Sequence, residues 1–221
     1  MLDQAPSADL FADDPPQTGI ARLGPQAYVL RGFALPWLDA LWPALQSVIT
    51  QAPFRHMETP GGQRMSVALT NCGALGWVSD RHGYRYAPRD PDSGLPWPAL
   101  PAPLAELASE AARSTGFGHF EPDACLVNRY LPGARLSLHQ DRDERDLSHP
   151  IVSVSLGLPA LFIWGGLQRA DRTERMPLLH GDVAAWGGVD RLRFHGIAPL
   201  RQAHHPLTGA QRINVTLRRA G

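Results

Sequence analysis

From about residue 122 onward the chain offers one short strand candidate after another: ACLVNRY, ARLSLHQD, IVSVSLG, ALFIWGG, MPLLHGDVAAWG, RFHGIAPL and QRINVTLR. Gly, Pro and Asp punctuate them. Strands this short and this closely spaced bury a face only by pairing, which points to a sandwich, a jelly roll or a barrel. Neither a GxGxxG turn nor a Walker loop is present, so nothing in the pattern indicates a phosphate-cradling α/β fold.

The first half is more mixed. Residues 1–20 are acidic and proline-containing and read as a poorly ordered tail. A short strand, YVLRGF, follows. PWLDALWPALQSVIT then spaces its apolar residues as an amphipathic helix does, with Pro36 near the start. TPGG at 59–62 is a turn, and RMSVALTN after it alternates as a strand does. Residues 72–98 are rich in Gly, Pro and aromatics and read as long loops or an irregular hairpin. LAELASEAARSTG at 104–116 predicts a second helix ending near Gly116. A chain of 221 residues supports one well-buried core. The expected organisation is a tail, then one domain over 21–221, with an N-terminal extension to about 121 and a β core from about 122.

Composition sets the setting. Formal charge is zero, so no global positive field draws in nucleic acid, although a local basic groove is compatible with it. All 21 basic residues are arginine, the better planar, bidentate partner for carboxylates and phosphates. Two cysteines outside any CxxC pair are too few for a disulfide scaffold. No signal peptide and no apolar run of about 18 residues is seen. The expectation is a soluble, cytoplasmic protein without a membrane partner, acting as a monomer.

Three segments carry chemistry. In a strand over 136–141, a period of two puts Ser137, His139 and Asp141 on one face. Imidazole and carboxylate would then sit roughly 6–7 Å apart along the backbone, a spacing that suits two ligands of one metal. A third ligand has five candidates: His149, His180, His195, His204 and His205. His195, inside the strand-like RLRFHGIAP with apolar flanks, is the best of them; His149 lies beside Pro150 in a polar loop, and His204 and His205 precede Pro206 in another. Two histidines and one carboxylate make the facial triad of non-haem Fe(II) oxygenases, with positions left for oxygen and cosubstrate. In RINVTLR, alternation puts Ile213, Val215 and Leu217 on one face and Arg212, Asn214, Thr216 and Arg218 on the other. Two arginines on one narrow face call for a counter-charge such as a dicarboxylate. Asn128 and Tyr130, two apart in ACLVNRYLPG, could add an amide and a phenol to the same cavity.

With HQD at 139–141, His195 and RINVTLR at 212–218, the sequence resembles the AlkB family of Fe(II)- and 2-oxoglutarate-dependent nucleic-acid dioxygenases. NRYLPGARLSLHQDRDE, IVSVSLGLPA and TNCGALGW reinforce the resemblance, which runs from about residue 20 to the end. It implies a mainly β fold with flanking helices, a double-stranded β-helix (jelly roll) covered by an N-terminal nucleotide-recognition lid. It implies that His139, Asp141 and His195 hold Fe(II). Asn128 and Arg218 would meet the C1 end of the cosubstrate 2-oxoglutarate, and Tyr130, Arg212 and Asn214 its distal carboxylate. Dioxygen is the other cosubstrate. Trp77, Tyr84, Tyr86, Asp143 and Arg169 stand at the family's substrate-contacting positions, with Trp77 and His139 sandwiching a flipped base. Stacking platforms suit a base taken from a single strand, and an aromatic face with a nearby carboxylate attracts a cationic one. The implied reaction is oxidative demethylation of N1-methyladenine and N3-methylcytosine in alkylated DNA, single-stranded for preference, with RNA as a second class. Its products are formaldehyde, succinate and carbon dioxide. The chain departs from the family at Gln63, where a lid tyrosine is usual, and at Leu217, where a phenylalanine is. Two alternatives use the same residues: a same-fold oxygenase of a protein, lipid or small molecule, and a jelly-roll binding module without catalysis.

Overall fold

The computed structural model describes residues 18–221. Strands β1 (Gly19–Gly24) and β2 (Ala27–Arg31) open it, followed by a 3-10 turn (Leu35–Trp37) and helix α1 (Leu38–Gln51). Next come β3 (Ala68–Gly73), β4 (Gly76–Asp80), β5 (Gly83–Ala87) and helix α2 (Ala102–Ser114). The second half supplies β6 (Ala124–Tyr130), β7 (Leu136–His139), β8 (Ile151–Gly157), β9 (Ala160–Trp164) and β10 (Glu174–Leu178). It ends with β11 (Val183–Trp186), β12 (His195–Ile197) and β13 (Arg212–Arg218).

A seven-stranded sheet has the order β1-β2-β11-β8-β13-β6-β3, and a four-stranded sheet the order β10-β9-β12-β7. β4 and β5 form a separate hairpin. Alternation decides what lies where. On the large sheet, Val127, Val152, Val154, Leu156, Val183, Ile213, Val215 and Leu217 face one way, in one apolar cluster with α1 and α2 (Leu41, Leu45, Leu104, Leu107). The opposite face carries Ile151, Ala184, Trp186 and Tyr130, which cluster with Phe162, Trp164, Leu178 and Ile197 of the small sheet. The molecule is therefore three layers, helices on the large sheet on the small sheet, with the large sheet buried on both faces. That explains why β6, β8 and β13 have the bounds that the sequence predicts: every residue of β8 and β13 is buried.

Several boundaries differ from expectation, each for a local reason. Residues 1–17 of the expected tail lie outside the described residues, and Gly19 and Ile20 already belong to β1, paired with β2. Strand β3 begins at Ala68, not at Arg64, because Arg64 to Val67 still belong to the turn region that closes on Met57 and Glu58. Residues 72–98 are partly regular, as the β4–β5 hairpin. MPLLHGDVAAWG is not one strand: β10 lies in the small sheet and β11 in the large one. The chain crosses between them at Gly181, whose φ of +85° suits glycine. Asp182 fixes the crossing by pairing with Arg31 and accepting from the Gly32 and Leu179 amides. The strand through the HxD pair ends at His139, so Asp141 is not on it. Its partner β12 has only three residues and its register slips between His195 and Ile197, so no ladder extends to Asp141.

Candidate active site

His139 and His195 face each other directly across the β7–β12 pair, with ring centroids 4.4 Å apart. Gly196 permits this approach: a Cβ there would come within 2.6 Å of the Leu136 carbonyl oxygen. Each ring is oriented by backbone. Nδ1 of His139 lies 2.9 Å from the Ser137 carbonyl, and Nδ1 of His195 lies 3.0 Å from that of Arg193. A carbonyl only accepts, so each Nδ1 carries the proton and each Nε2 presents a lone pair, the tautomer a metal requires. Both lone pairs converge on Asp141, His139 Nε2 at 3.5 Å from Oδ1 and His195 Nε2 at 3.7 Å from Oδ2.

One ligand atom from each of the three residues lies within 4.8 Å of the others. Asp141 is held by other forces than a strand: Arg218 donates to its Oδ2 at 2.6 Å, and Arg191 to its backbone carbonyl at 2.6 Å. Burial alone would raise its pKa, but Arg218 and the two imidazoles hold the carboxyl well below the usual range. Burial, with His139 beside it, lowers His195 to about 4, which keeps the ring neutral. The donor set fits a divalent iron: two imidazoles that turn Nε2 inward, one anionic carboxylate, and one side facing a cavity.

That cavity has a volume of about 420 Å³ and lies between the two sheets. Every residue that the resemblance assigns to iron, cosubstrate or substrate borders it. β13 supplies its floor, since Arg212, Asn214, Thr216 and Arg218 share the inner face. Arg212 is 1% exposed. Its Nη2 donates to Ser155 Oγ at 2.9 Å, its guanidinium lies 5.1 Å from the Tyr130 ring, and its Nε and Nη1 have no partner among the described residues. A buried guanidinium with unpartnered N–H groups is costly unless an anion meets it. Asn128 donates to Asn214 Oδ1 at 3.3 Å, while Asn214 commits its amide hydrogens to Ser153 Oγ and the Val154 carbonyl.

The hairpin makes the outer wall. Trp77 stacks on Tyr84, with centroids 5.5 Å apart and planes 14° from parallel, and its indole donates to Asp143 at 2.8 Å. Tyr84 is half exposed, and Arg169 stands exposed beside Phe194 on the opposite rim. Tyr86 is turned inward and donates to Glu144 Oε1 at 2.8 Å.

Glu144 and Arg191 also belong to this site, although no local pattern in the sequence singles them out. Glu144 is 7% exposed and Arg191 3%. Glu144 lies 3.1 Å from Arg191 Nη2 and 3.2 Å from Arg218 Nε. Within DRDERD nothing distinguishes Glu144 from its solvated neighbours. Other histidine candidates lie elsewhere: the rings of His180 and His205 pack 4.3 Å apart, tilted by 49°, and His149 sits near Asp146.

A model of the 2OG-Fe(II) oxygenase superfamily matches residues 26–218. The chain belongs to that superfamily. The alpha-ketoglutarate-dependent dioxygenase AlkB of Salmonella typhimurium is 56% identical over 212 residues, covering 96% of this chain and 97% of that protein. AlkB of Escherichia coli is 54% identical over 213 residues, covering 96% and 98%. The solved structure of OsALKBH1 superposes with a TM-score of 0.79 at 26% identity, covering 91% of this chain and 100% of that one. At such identity over nearly full length, this AlkB-family chain is an Fe(II)/2-oxoglutarate-dependent dioxygenase, with His139, Asp141 and His195 as its iron triad.

Proposed function

We propose that this dioxygenase oxidatively demethylates N-alkylated bases in DNA, N1-methyladenine and N3-methylcytosine, favouring single strands and releasing formaldehyde, succinate and carbon dioxide. The observation that carries the reading is the wall opposite the triad: a stacked tryptophan and tyrosine with a carboxylate at the tryptophan edge. A flat face takes any base, and Asp143 favours one carrying positive charge. In this reading the two facing sheets form the double-stranded β-helix and the hairpin is the nucleotide-recognition lid. Arg169 and Tyr84, both exposed at the rim, suit contacts to the flanking backbone.

Fe(II) with 2-oxoglutarate supplies the activation of dioxygen needed to hydroxylate a C–H bond. The chain holds and orients what surrounds it. His139, Asp141 and His195 would bind the metal through Nε2, a carboxylate oxygen and Nε2. Arg212, with two donors unpartnered, and Tyr130 would receive the distal carboxylate of the cosubstrate. Arg218 and the second amide hydrogen of Asn128 would meet its other end. Asn214 contributes once the rotatable Ser153 hydroxyl yields its place. Phe162 and Trp186 close the cavity behind His195, excluding water. The free thiols Cys72 and Cys125 suit a reducing cytoplasm, and a cavity completed by one chain suits a monomer.

The test is formaldehyde release from a short single-stranded oligonucleotide carrying N1-methyladenine, with Fe(II), ascorbate and 2-oxoglutarate. Release that needs the cosubstrate and is lost in His139→Ala supports the reading. Succinate formation without any formaldehyde from methylated DNA or RNA moves the substrate to another class.

A further inference from the structure

Glu144 is a carboxylate buried beside a metal triad that does not use it. Its partners come from three directions. Tyr86 Oη, on β5, donates to its Oε1 at 2.8 Å. Arg218 Nε, on β13, lies 3.2 Å from the same oxygen. Arg191 Nη2 lies 3.1 Å from Oε2. Each arginine also holds Asp141, Arg218 by its side chain and Arg191 by its backbone carbonyl. Two guanidiniums and two carboxylates thus form a buried square whose charges balance, three of its edges ionic and the fourth through the Asp141 backbone carbonyl, and the Tyr86 hydroxyl ties one corner to the hairpin. Tyr86 is the hairpin's contact with this square, whereas Trp77 reaches the exposed Asp143.

We propose that Glu144 is a positioning residue, and that the Tyr86–Glu144 hydrogen bond latches the β4–β5 hairpin to the cosubstrate end of the site. The link has a direction. Arg218 divides its charge between Asp141 and Glu144. A cosubstrate carboxylate that engages Arg218 draws charge away from Glu144, which then accepts more strongly from Tyr86 and holds the hairpin more tightly. The phenol is a suitable donor. Burial holds its pKa well above the usual 10, with the neighbouring carboxylates adding to the rise, so it keeps its proton at neutral pH. Coupling is reciprocal, so what cosubstrate does to the hairpin, the hairpin does to cosubstrate affinity. The inference rests on the proposed role of the hairpin as substrate lid for its consequence, but the latch itself needs no nucleic acid to be tested.

The experiment compares wild type with Tyr86→Phe, which removes one hydroxyl, and with Glu144→Gln. Amide hydrogen exchange of residues 76–87 is followed with Mn(II) alone and with Mn(II) plus 2-oxoglutarate, and cosubstrate affinity is measured by titration. In wild type, 2-oxoglutarate slows exchange across the hairpin. In Tyr86→Phe that slowing is lost and affinity falls about tenfold, the share of one hydrogen bond to a charged group. The double variant loses no more affinity than Glu144→Gln alone. Exchange that slows equally in Tyr86→Phe, or affinity unchanged by it, overturns the latch. Should Glu144→Gln fail to fold, Tyr86→Phe decides alone. In turnover on N1-methyladenine DNA, the latch predicts less formaldehyde per succinate in Tyr86→Phe. Wild type that makes succinate but no formaldehyde counts against the demethylase reading, while the exchange result still judges the latch.

Discussion

Arg212→Met should move stability and cosubstrate binding in opposite directions. The guanidinium is buried with Nε and Nη1 unpartnered, and its favourable contacts are one hydrogen bond to Ser155 and the face of Tyr130. Burial of such an ion costs several kcal/mol. Against that, the hydrogen bond contributes about 1.5–3 kcal/mol and the ring contact about 0.5–2 kcal/mol. Methionine keeps most of the stem's volume, so the variant should be more stable than wild type without cosubstrate, by about 1 kcal/mol. For a chain of this size that raises the melting temperature by about 2–4 °C. With Mn(II) and 2-oxoglutarate at about 100 times its Kd, wild type gains about 2.7 kcal/mol. Loss of two charge-assisted hydrogen bonds weakens binding about a hundredfold or more, which leaves the variant about 0.4 kcal/mol at the same concentration. Calorimetry with and without cosubstrate reads both effects. A variant that melts lower than wild type and keeps the full cosubstrate shift would refute the argument that Arg212 awaits an anion.

Asp141→Asn leaves Arg218 without its nearest carboxylate and the triad without its anion; metal affinity by competition titration should drop at least about tenfold, and formaldehyde release should disappear. Trp77→Ala removes a stacking face worth about 1–3 kcal/mol per base, so KM for methylated oligonucleotide should rise roughly 5- to 150-fold while 2-oxoglutarate affinity holds. His180 sets a pH dependence of stability. Its pKa is lowered from 6.5 to about 4 by burial and the nearby His205, and its Nδ1 accepts from the Gly157 amide. A base depressed in the folded state stabilises above its unfolded pKa, so this contribution is full above about pH 6.5 and is lost as pH falls toward 4. Because the ring is partly exposed, its size is roughly 1–2 kcal/mol, read as a shallower pH slope of unfolding free energy in His180→Gln.

What can be read from sequence follows from burial. IVSVSLG and RINVTLR are sandwiched between helices and a second sheet, so every position is constrained and their bounds are legible. The hairpin reads only as loops or an irregular hairpin because Gly83–Ala87 has no buried residue, and a strand with weak burial has weak alternation. His195 stands out by its apolar flanks, but alternation puts Asp141 on a strand that in fact stops two residues earlier. Its position depends on Arg191 and Arg218, which come from distant parts of the chain and leave no trace in local spacing. Glu144 is hidden for the same reason: its burial is a property of the two arginines that reach it. MPLLHGDVAAWG reads as one strand because sequence periodicity does not register that a glycine sends its halves to different sheets.

β13 answers to two demands at once. Its odd-numbered residues plug the helical core and its even-numbered ones line the reaction chamber, with no position left idle. Substitutions there face a double filter, since a change that improves one face disturbs the register of the other. The hairpin carries less of this burden: Val78 of β4 packs into a small apolar cluster, but β5 has no fully buried residue and Tyr84 is half exposed. On the function proposed above, new substrate ranges are therefore most accessible through the hairpin, while the two arginines of the cavity floor stay fixed on the strand that the fold cannot spare.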